Sequence, residues 1–569
     1  MKIKLPYGIS NFADIVEQNY LYIDRTKYIE ILETEIADKY ILFIRPRRFG
    51  KSLFVSVLDY YYNIKYKDKF EKLFGKYYIG KNPTPLKNSY LVLRFNFSGI
   101  NTETKESTYN GFLDKVKVSV KSFLNMYENI LKINQEDKNQ ILENKTPESI
   151  IDNLFELVKT KTEKKIYILI DEYDHFANEL ISFNLTDFYK IVTQNGFVRK
   201  FYETIKIGTK SVVDRIFITG VTPITLDSLT SGFNIKSNLS TEKMLNEMLG
   251  FTHLEVKNLI EQIISECPML TPDEILNEMI DNYDGYLFNE EATERVFNSD
   301  MVLYYLKNFK ECEKPRKLLD SNIASDYNKI KRLFNIKNYE NNYKVLNDLV
   351  REDYVVGRIV DEFSLEKRFD TNDLISLLYY TGIITIKESE LDGIRFQIPN
   401  YVIKELYYQY FVDILSEKSQ YEIDTSKISS AIRNMAKYGD ITELVKLVEE
   451  LLQSLSSRDL IKFDEKYVKL IFITYIMMSD LYFVHSEEEV NYGYKDITCI
   501  GRDVYGVQNH FIFELKYIKK SEEEMLFEKK SHEAEEQLKR YRIKRNVKGQ
   551  IHKFGLIFVG PECKKIIRI

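Results

Sequence analysis

The sequence predicts an α/β chain with a doubly wound parallel sheet in its first part, a helical middle region and a second, smaller α/β unit at its C-terminus. Residues 1 to about 240 alternate apolar, β-branched runs with helix-like segments, the pattern of a sheet wrapped by helices. From about 241 to 460 the texture becomes helical, and after about 465 the strand signal returns. A chain of 569 residues also exceeds the roughly 250–300 residues at which one core stops growing. The expected domains are therefore 1–240, 241–460 and 461–569.

In the first domain, Tyr40-Ile-Leu-Phe-Ile44 is a strand-like run reaching the loop Arg45-Pro-Arg-Arg-Phe-Gly-Lys-Ser52, and an amphipathic segment follows from Leu53 to Tyr62. Gly50-Lys51-Ser52 closes the pattern G-x-x-x-x-G-K-[ST]. The order suits phosphate binding. Backbone amides at a helix start cradle phosphate, Gly50 permits close approach, Lys51 reaches the β- and γ-phosphates and the Ser52 hydroxyl can hold Mg²⁺. Arg45 stands where the first glycine belongs, so the match is partial; a basic loop capping a buried strand is the plain alternative. Arg47 and Arg48 would either anchor on the protein's own carboxylates or add phosphate contacts.

Lys165-Ile-Tyr-Ile-Leu-Ile-Asp-Glu-Tyr-Asp174 is a buried-strand run ending in carboxylates. Asp171 would help hold Mg²⁺ and Glu172 would polarise the attacking water. Tyr90 to Phe97 supplies another strand, and Asp214 to Thr222 a further one ending at Thr219 and Thr222. In a parallel sheet the carboxyl ends of the strands line the ligand crevice, so these motifs converge there. The polar stretch Ile133 to Glu148 reads as an exposed insertion. In the middle region, Thr252 with Glu255 forms a capping box, and further helices are expected at Asp373 to Tyr380, Val402 to Ser416 and Ile441 to Ser454. Gly382 to Ile386 and Ile394 to Ile398 suggest a β-hairpin.

In the last domain, Tyr492 to Ile500 and His510 to Tyr517 are strand-like, and the second alternates so that Glu514 and Lys516 share a face. Paired as a hairpin, the two runs bring Asp496 beside Glu514 and Lys516. Two carboxylates with a lysine suit metal-assisted phosphodiester hydrolysis, with Asp496 and Glu514 on Mg²⁺ and Lys516 orienting the nucleophile. Glu487 or Glu489 could add a metal contact. A helix from Ser531 to Tyr541 places Gln537 and Tyr541 on one face, and Lys553 to Gly560 forms a final strand. The plain alternative is a half-exposed strand with alternating charges. The lysines and arginines between 516 and 553 are interspersed with glutamates and define no DNA footprint.

On these residues the chain resembles the AAA-ATPase-like family of predicted NTPases that carry a C-terminal PD-(D/E)xK nuclease-like domain. The family's loop reads R-P-R-R-F-G-K-S, as at Arg45 to Ser52, so the missing first glycine is a family trait. Leu5-Pro-Tyr-Gly-Ile-Ser-Asn-Phe12, Tyr22-Ile-Asp-Arg-Thr-Lys27, Ile170-Asp-Glu-Tyr-Asp174, Thr219-Gly-Val-Thr222, Ser231-Gly-Phe-Asn234, Gly250-Phe-Thr252 and Tyr283-Asp-Gly-Tyr286 also match its pattern. The resemblance covers roughly 1–300 and 470–565, and the Gln537/Tyr541 helix fits its nuclease-like part. Members often read Gly-Arg-x-Asp before the first nuclease strand; Gly493-Tyr-Lys-Asp496 lacks the arginine. The resemblance implies a P-loop NTPase, AAA-like, that binds ATP with Mg²⁺ through Arg47, Arg48, Phe49, Gly50, Lys51, Ser52, Asp171 and Thr219. Lys51 and Glu172 would be catalytic there, and Asp496, Glu514 and Lys516 in the nuclease-like domain. AAA-type sites often borrow an arginine finger from a neighbour, so a homo-oligomer fits; within the chain, Arg199 and Arg215 are candidates.

Composition sets the outer limits. A hydrophobic content of 44% with 29% charged residues is ordinary for a globular chain. The 42 tyrosines and 35 phenylalanines beside no tryptophan reflect an A/T-rich coding background more than function. A net charge of −5 argues against wholesale coating of nucleic acid and leaves room for a local basic groove. Cys267, Cys312, Cys499 and Cys563 show no C-x-x-C spacing, so neither structural zinc nor a disulfide framework is expected, and a reducing compartment is the default. The start lacks the apolar core of a signal peptide, and no apolar run approaches the roughly 20 residues that cross a bilayer; the densest, Tyr467 to Met478, contains Lys469. The expectation is a soluble, intracellular protein, cytoplasmic or nuclear, with no membrane partner and with nucleic acid, DNA favoured, as its target. None of the six histidines has metal-ligand spacing; His175, beside Asp174, is a candidate for the nucleotide pocket. Two functions fit: an ATPase coupled to a Mg²⁺-dependent nuclease, or a nucleotide-dependent switch whose nuclease-like fold is a non-catalytic recognition module. A phosphotransferase fits less well, because Asp171-Glu172 favours water activation.

Overall fold

A five-stranded, all-parallel sheet organises the N-terminal unit of the computed structural model, which describes residues 3–183, 196–223, 234–264, 267, 270–309, 312–320, 323–324, 344–349, 352–361, 370–419, 423–456, 464–490, 493–543 and 547–569. Its strands are β1 (Tyr40–Ile44), β2 (Leu91–Asn96), β3 (Ile166–Asp171), β4 (Val213–Gly220) and β5 (Ser237–Asn238), in the order β2-β3-β4-β1-β5. Every residue of β3 is buried, so both faces of the sheet are covered, as a parallel sheet requires. The helices Lys51–Tyr62 and Lys105–Leu131 lie against β2, and Pro147–Lys161 packs on Lys105–Leu131 and Phe197–Gly208. The register pairs Ile44 with Gly220 and Asn96 with Asp171, so the carboxyl ends of β1, β3 and β4 share one edge of the sheet.

The polar stretch expected as an insertion is more ordered than its composition suggests. Gln135–Leu142 is a helix whose N-cap Asn134 and N3 residue Asp137 form a reciprocal capping box, and Ile141 is buried. Local capping here outweighs low hydrophobicity.

The described residues divide into two compact units. Residues 241–460, expected as one helical region, are split between them: residues up to Asn308, with 321–346 and 354–400, belong to the N-terminal unit, and residues from Tyr401 onward belong to the C-terminal one. Long-range bonds explain the first assignment, since Leu245 and Asn298 both hydrogen-bond to the loop after β1. The N-terminal unit also holds the expected hairpin, in a small antiparallel sheet of β6 (Val355–Gly357), β7 (Thr385–Glu390) and β8 (Gly393–Gln397), ordered β6-β8-β7. The capping box at Thr252 and Glu255 is present, at the head of His253–Ile263. Ser231 to Phe233 of the Ser-Gly-Phe-Asn motif lie outside the described residues.

The C-terminal unit carries helices Tyr401–Ser419, Thr425–Tyr438, Thr442–Ser456 and Glu465–Met477 and a second five-stranded sheet. Its strands are β9 (Tyr482–Val490), β10 (Gly493–Gly501), β11 (Asn509–Ile518), β12 (Gln550–Val559) and β13 (Glu562–Arg568), in the order β13-β12-β11-β10-β9. Only β11 and β12 run parallel, joined through the helix Glu523–Arg540 as a crossover requires. Ala534 of that helix packs with Ile518, Ile557 and Val559.

Among the described residues no helix is long and apolar enough to cross a membrane. Against the expectation of a chain without disulfides, Cys267 is disulfide-bonded, while Cys499 and Cys563 are free.

Candidate functional site

At the carboxyl end of β1 the chain turns through Arg45–Gly50 into the helix Lys51–Tyr62, the strand–loop–helix order that the sequence requires. Gly50 is the N-cap, with φ +93°, and nothing lies within 4 Å of where its Cβ would be. The glycine therefore serves a left-handed backbone, and space is not the constraint. Lys51 is buried; its Nζ donates to Arg45 O (2.9 Å) and Pro46 O (2.8 Å). Burial lowers its pKa to about 8, against the pull of Asp174, Asp171 and Glu172. The ammonium is thus held by the loop's own carbonyls, where an anionic oxygen would be the stronger partner.

Arg45 has turned inward. Its Nη1 donates to Ile44 O (3.0 Å) and Ser240 O (2.5 Å), its Nη2 to Leu245 O (2.8 Å), and the guanidinium lies between the rings of Phe43 and Phe288, 4.3 and 4.0 Å from their centroids. Full burial lowers its pKa to about 9, so it stays charged at neutral pH. The residue that breaks the glycine pattern is an anchor beneath the loop. Phe49 is likewise buried, edge-on to Tyr286 and Phe288, so its side chain shapes the loop and only its backbone can reach a ligand.

Loop and sheet edge enclose a cleft of about 550 Å³. Arg47, Arg48, Phe49, Gly50, Lys51, Ser52, Glu172 and His175 line it, together with Pro6, Gly8–Ser10, Leu21–Ile23 and Leu249–Phe251. Arg25, from the Asp-Arg-Thr motif, is ion-paired with Glu255 and donates to Gly250 O (2.6 Å), so two motifs distant in sequence meet at the cleft wall.

Asp171 ends β3 with 0% exposure, and neither Oδ accepts a hydrogen bond of good geometry. Burial raises its pKa, opposed first by the nearby Ser52 hydroxyl and then by Lys51 and Arg94. A buried carboxylate held only by poorly aligned donors is costly, and a cation held between it and Ser52 would offset that cost. The residues present therefore fit Mg²⁺. Glu172 adopts a left-handed backbone (φ +51°), which costs a non-glycine residue roughly 1–2 kcal/mol. It is half-buried, and burial raises its pKa against the effect of His175. His175 lines the cleft, as its position beside Asp174 suggested.

Two other carboxyl-end residues have structural duties. Thr219 reaches the expected sheet edge, but its hydroxyl donates to Phe43 O (2.8 Å), and Thr219 does not line the cleft. Asp174 accepts from the amides of Val221 (3.0 Å) and Thr222 (2.7 Å), fastening the end of β4. Of the arginine-finger candidates, Arg215 sits near the start of β4, opposite Tyr167, which by strand geometry is roughly 16 Å from Gly220 and the cleft edge. Arg199 is ion-paired with Glu203 (2.9 Å).

In the C-terminal unit, β10 and β11 pair antiparallel with Ile497 opposite Phe513, which sets Asp496 beside Glu514. Asp496 Oδ2 accepts from Leu515 N (2.8 Å), Glu514 Oε1 from Lys516 Nζ (2.7 Å) and Glu514 Oε2 from Tyr541 Oη (3.0 Å). The trio read from the sequence is assembled. Burial and Asp496 push the Glu514 pKa up to about 7, and burial also raises Asp496. Burial lowers the Lys516 pKa, but Glu514 and Glu465 outweigh that and the net shift is upward.

Glu465 was missed by sequence reasoning. It opens the helix Glu465–Met477 and stands 3.7 Å from Lys516 Nζ. The available signal was the N-cap Asp464 before that apolar run. Of the upstream acids, Glu487 and Glu489 belong to β9 beside β10; their side chains lie outside the described residues. Tyr541 follows the helix Glu523–Arg540 and reaches Glu514, whereas Gln537 Oε1 is enclosed without a hydrogen-bond partner. Among the described residues, no group of three or more His, Cys, Asp or Glu side chains is placed to hold a metal ion.

Residues 6–230 match the family model described as a predicted AAA-ATPase, and residues 463–567 match that of the PD-(D/E)XK nuclease superfamily. The chain joins an AAA-ATPase-like domain to a PD-(D/E)XK-type domain. It is also similar to an uncharacterized protein in the vnfD 5′ region of Azotobacter chroococcum mcd 1, at 26% identity over 306 residues. That match takes in 53% of this chain and about half, 52%, of the relative. The AAA-ATPase-like match ends at residue 230, so Leu245, Glu255 and Asn298, which bond to the loop after β1 or to the cleft wall, lie outside it.

Proposed function

We propose that the AAA-ATPase-like domain binds ATP with Mg²⁺ and hydrolyses it, and that the PD-(D/E)XK-type domain is a divalent-metal-dependent nuclease. The observation that carries the first half is the enclosed Asp171 beside Ser52, neither of whose Oδ atoms accepts a hydrogen bond of good geometry, at the foot of a loop whose lysine is held by carbonyls. Bound Mg²⁺ would neutralise charge developing on the phosphates. Lys51 and the amides at the head of its helix bind the β- and γ-phosphates, Ser52 and Asp171 hold the cation, and Glu172 takes a proton from the attacking water.

Calorimetry and phosphate release test this half. Lys51→Ala is expected to weaken ATP binding at least tenfold, a loss of about 1.4 kcal/mol or more. Glu172→Gln is expected to retain binding and lose hydrolysis by about 10²–10⁴-fold, the usual contribution of a general base. Retained turnover in both variants would remove the assignment.

The second half rests on the Asp496, Glu514 and Lys516 grouping. Its test is a plasmid and oligonucleotide cleavage assay with Mg²⁺ or Mn²⁺, with and without ATP, on wild type beside Asp496→Ala; DNA cleavage is expected only in the wild type. One observation favours the alternative, a nucleotide-dependent switch with a non-catalytic recognition module: both Glu514 oxygens are already taken, by Lys516 and Tyr541. Tight ATP binding without phosphate release, together with no cleavage of DNA or RNA, would select that alternative.

A further inference from the structure

Two carbonyls of the proposed phosphate loop are gripped by residues about 250 positions downstream. Asn298 Nδ2 donates to Arg47 O (3.2 Å), and the Asp300 amide donates to Arg48 O (3.3 Å). Asn298 is buried, and its Oδ1 accepts from the amides of Asp300 (3.1 Å) and Met301 (3.4 Å) at the head of helix Ser299–Asn308. One short segment thus fixes two loop carbonyls and starts a helix.

That segment also brings a charge. Asp300 lines the cleft with Arg48, and its Oδ2 lies 3.6 Å from Arg48 Nη1. Arg48 has a left-handed backbone (φ +69°) and a side chain 35% exposed, whereas that of Asp300 is 12% exposed. The more exposed cation is therefore paired with the more enclosed anion, at the wall of a cleft suited to a polyanion. A carboxylate there opposes phosphate in two ways, by direct repulsion and by competing for Arg48.

We propose that Asp300 is a positioning residue that holds Arg48 in the nucleotide-free protein, and that the phosphates of a bound nucleotide take Arg48 over from it. This rests on the phosphate-loop assignment above. Exchange of one anionic partner for another costs Arg48 no new desolvation, and it makes affinity depend on phosphate charge. It also ties occupancy of the cleft to the first turn of helix Ser299–Asn308.

The sign of the Asp300→Asn effect separates this role from a structural one. Asp300→Asn keeps the backbone amide that holds Arg48 O and removes only the charge. Calorimetry with ATP, ADP and adenosine is expected to show ATP and ADP binding about 3–10-fold tighter than wild type, with adenosine unchanged. Asp300→Glu is expected to restore wild-type affinities, and Arg48→Gln to weaken ATP binding in the wild type while erasing most of the gain in the Asp300→Asn background. If wild type binds ATP but Asp300→Asn binds it equally or more weakly, the proposal fails while the phosphate-loop assignment stands. If Asp300→Asn does not fold, Arg48→Gln decides alone: equal weakening for ATP and adenosine overturns the proposal. A wild type that binds no nucleotide overturns both.

Discussion

Replacing Arg45 with glycine, the residue that G-x-x-x-x-G-K-[ST] asks for at this position, is expected to destroy the site it nominally repairs. In most proteins with such a loop, glycine there leaves the backbone free to turn. Here the side chain of Arg45 is the support. Its guanidinium donates to the carbonyls of Ile44, Ser240 and Leu245 and fills the slot between Phe43 and Phe288. Glycine would leave buried acceptors without a charged donor and a cavity beneath the loop. Each effect costs on the order of 1–3 kcal/mol, so a total loss of about 3–5 kcal/mol is expected. The same carbonyl line positions Lys51, whose Nζ contacts Arg45 O, so nucleotide binding should fail with the fold around the loop. Urea unfolding followed beside calorimetric titration with ATP measures both losses. Arg45→Lys should fall between wild type and Arg45→Gly, because one ammonium cannot span three carbonyls and does not lie flat between two rings. Wild-type stability and affinity in Arg45→Gly would show that the buried guanidinium is incidental.

Arg45 also marks the boundary of what the sequence makes legible. The strand–turn–helix form of the Arg45–Ser52 loop, the Asp171-Glu172 strand and the Asp496, Glu514, Lys516 hairpin were readable because each depends on local order: a strand, a tight turn and side chains alternating at period two. Contacts across 195 to 251 positions carry no such trace. The Arg45–Ser240, Arg47–Asn298 and Arg25–Glu255 bonds arise from chain topology, and they draw the region after 240 onto the cleft. Thr219 illustrates the opposite limit. Its place at the end of β4 was legible, but whether its hydroxyl faces a ligand or Phe43 O depends on the neighbouring strand. Glu465 was hidden in a helix whose apolarity drew attention to membrane crossing, not to the charge at its first residue.

The largest effect expected in the C-terminal unit is that of Lys516→Met. Lys516 sits 2.7 Å from Glu514 and 3.7 Å from Glu465, beside Asp496, so it is a cation shared by three carboxylates. Removing one partner of a buried ion pair costs about 3–5 kcal/mol when the other stays charged, and Lys516→Met should lose metal-dependent cleavage as well. The cost must depend on pH. Glu514 has its folded-state pKa pushed from an ordinary 4.5 up to about 7, first by burial and then by Asp496. A carboxyl raised in this way contributes its stabilisation fully below about 4.5 and loses it as pH rises through about 7. The upward shift of Lys516 matters only near and above its ordinary 10.5, so it does not oppose this trend at neutral pH. Hydrogen exchange of the β11 amides, followed from pH 5 to 8 after correction for intrinsic rates, should therefore show protection falling through neutrality in the wild type. The fall should be steeper in Lys516→Met and nearly flat in Glu514→Gln. Millimolar Mg²⁺ or Mn²⁺ should restore protection at pH 8 and do little at pH 5, because protonated carboxyls compete poorly for cations. A wild-type profile that stays level from pH 5 to 8, or protection at pH 8 indifferent to both ions, would mean that these carboxylates form a closed ionic network and not a metal site.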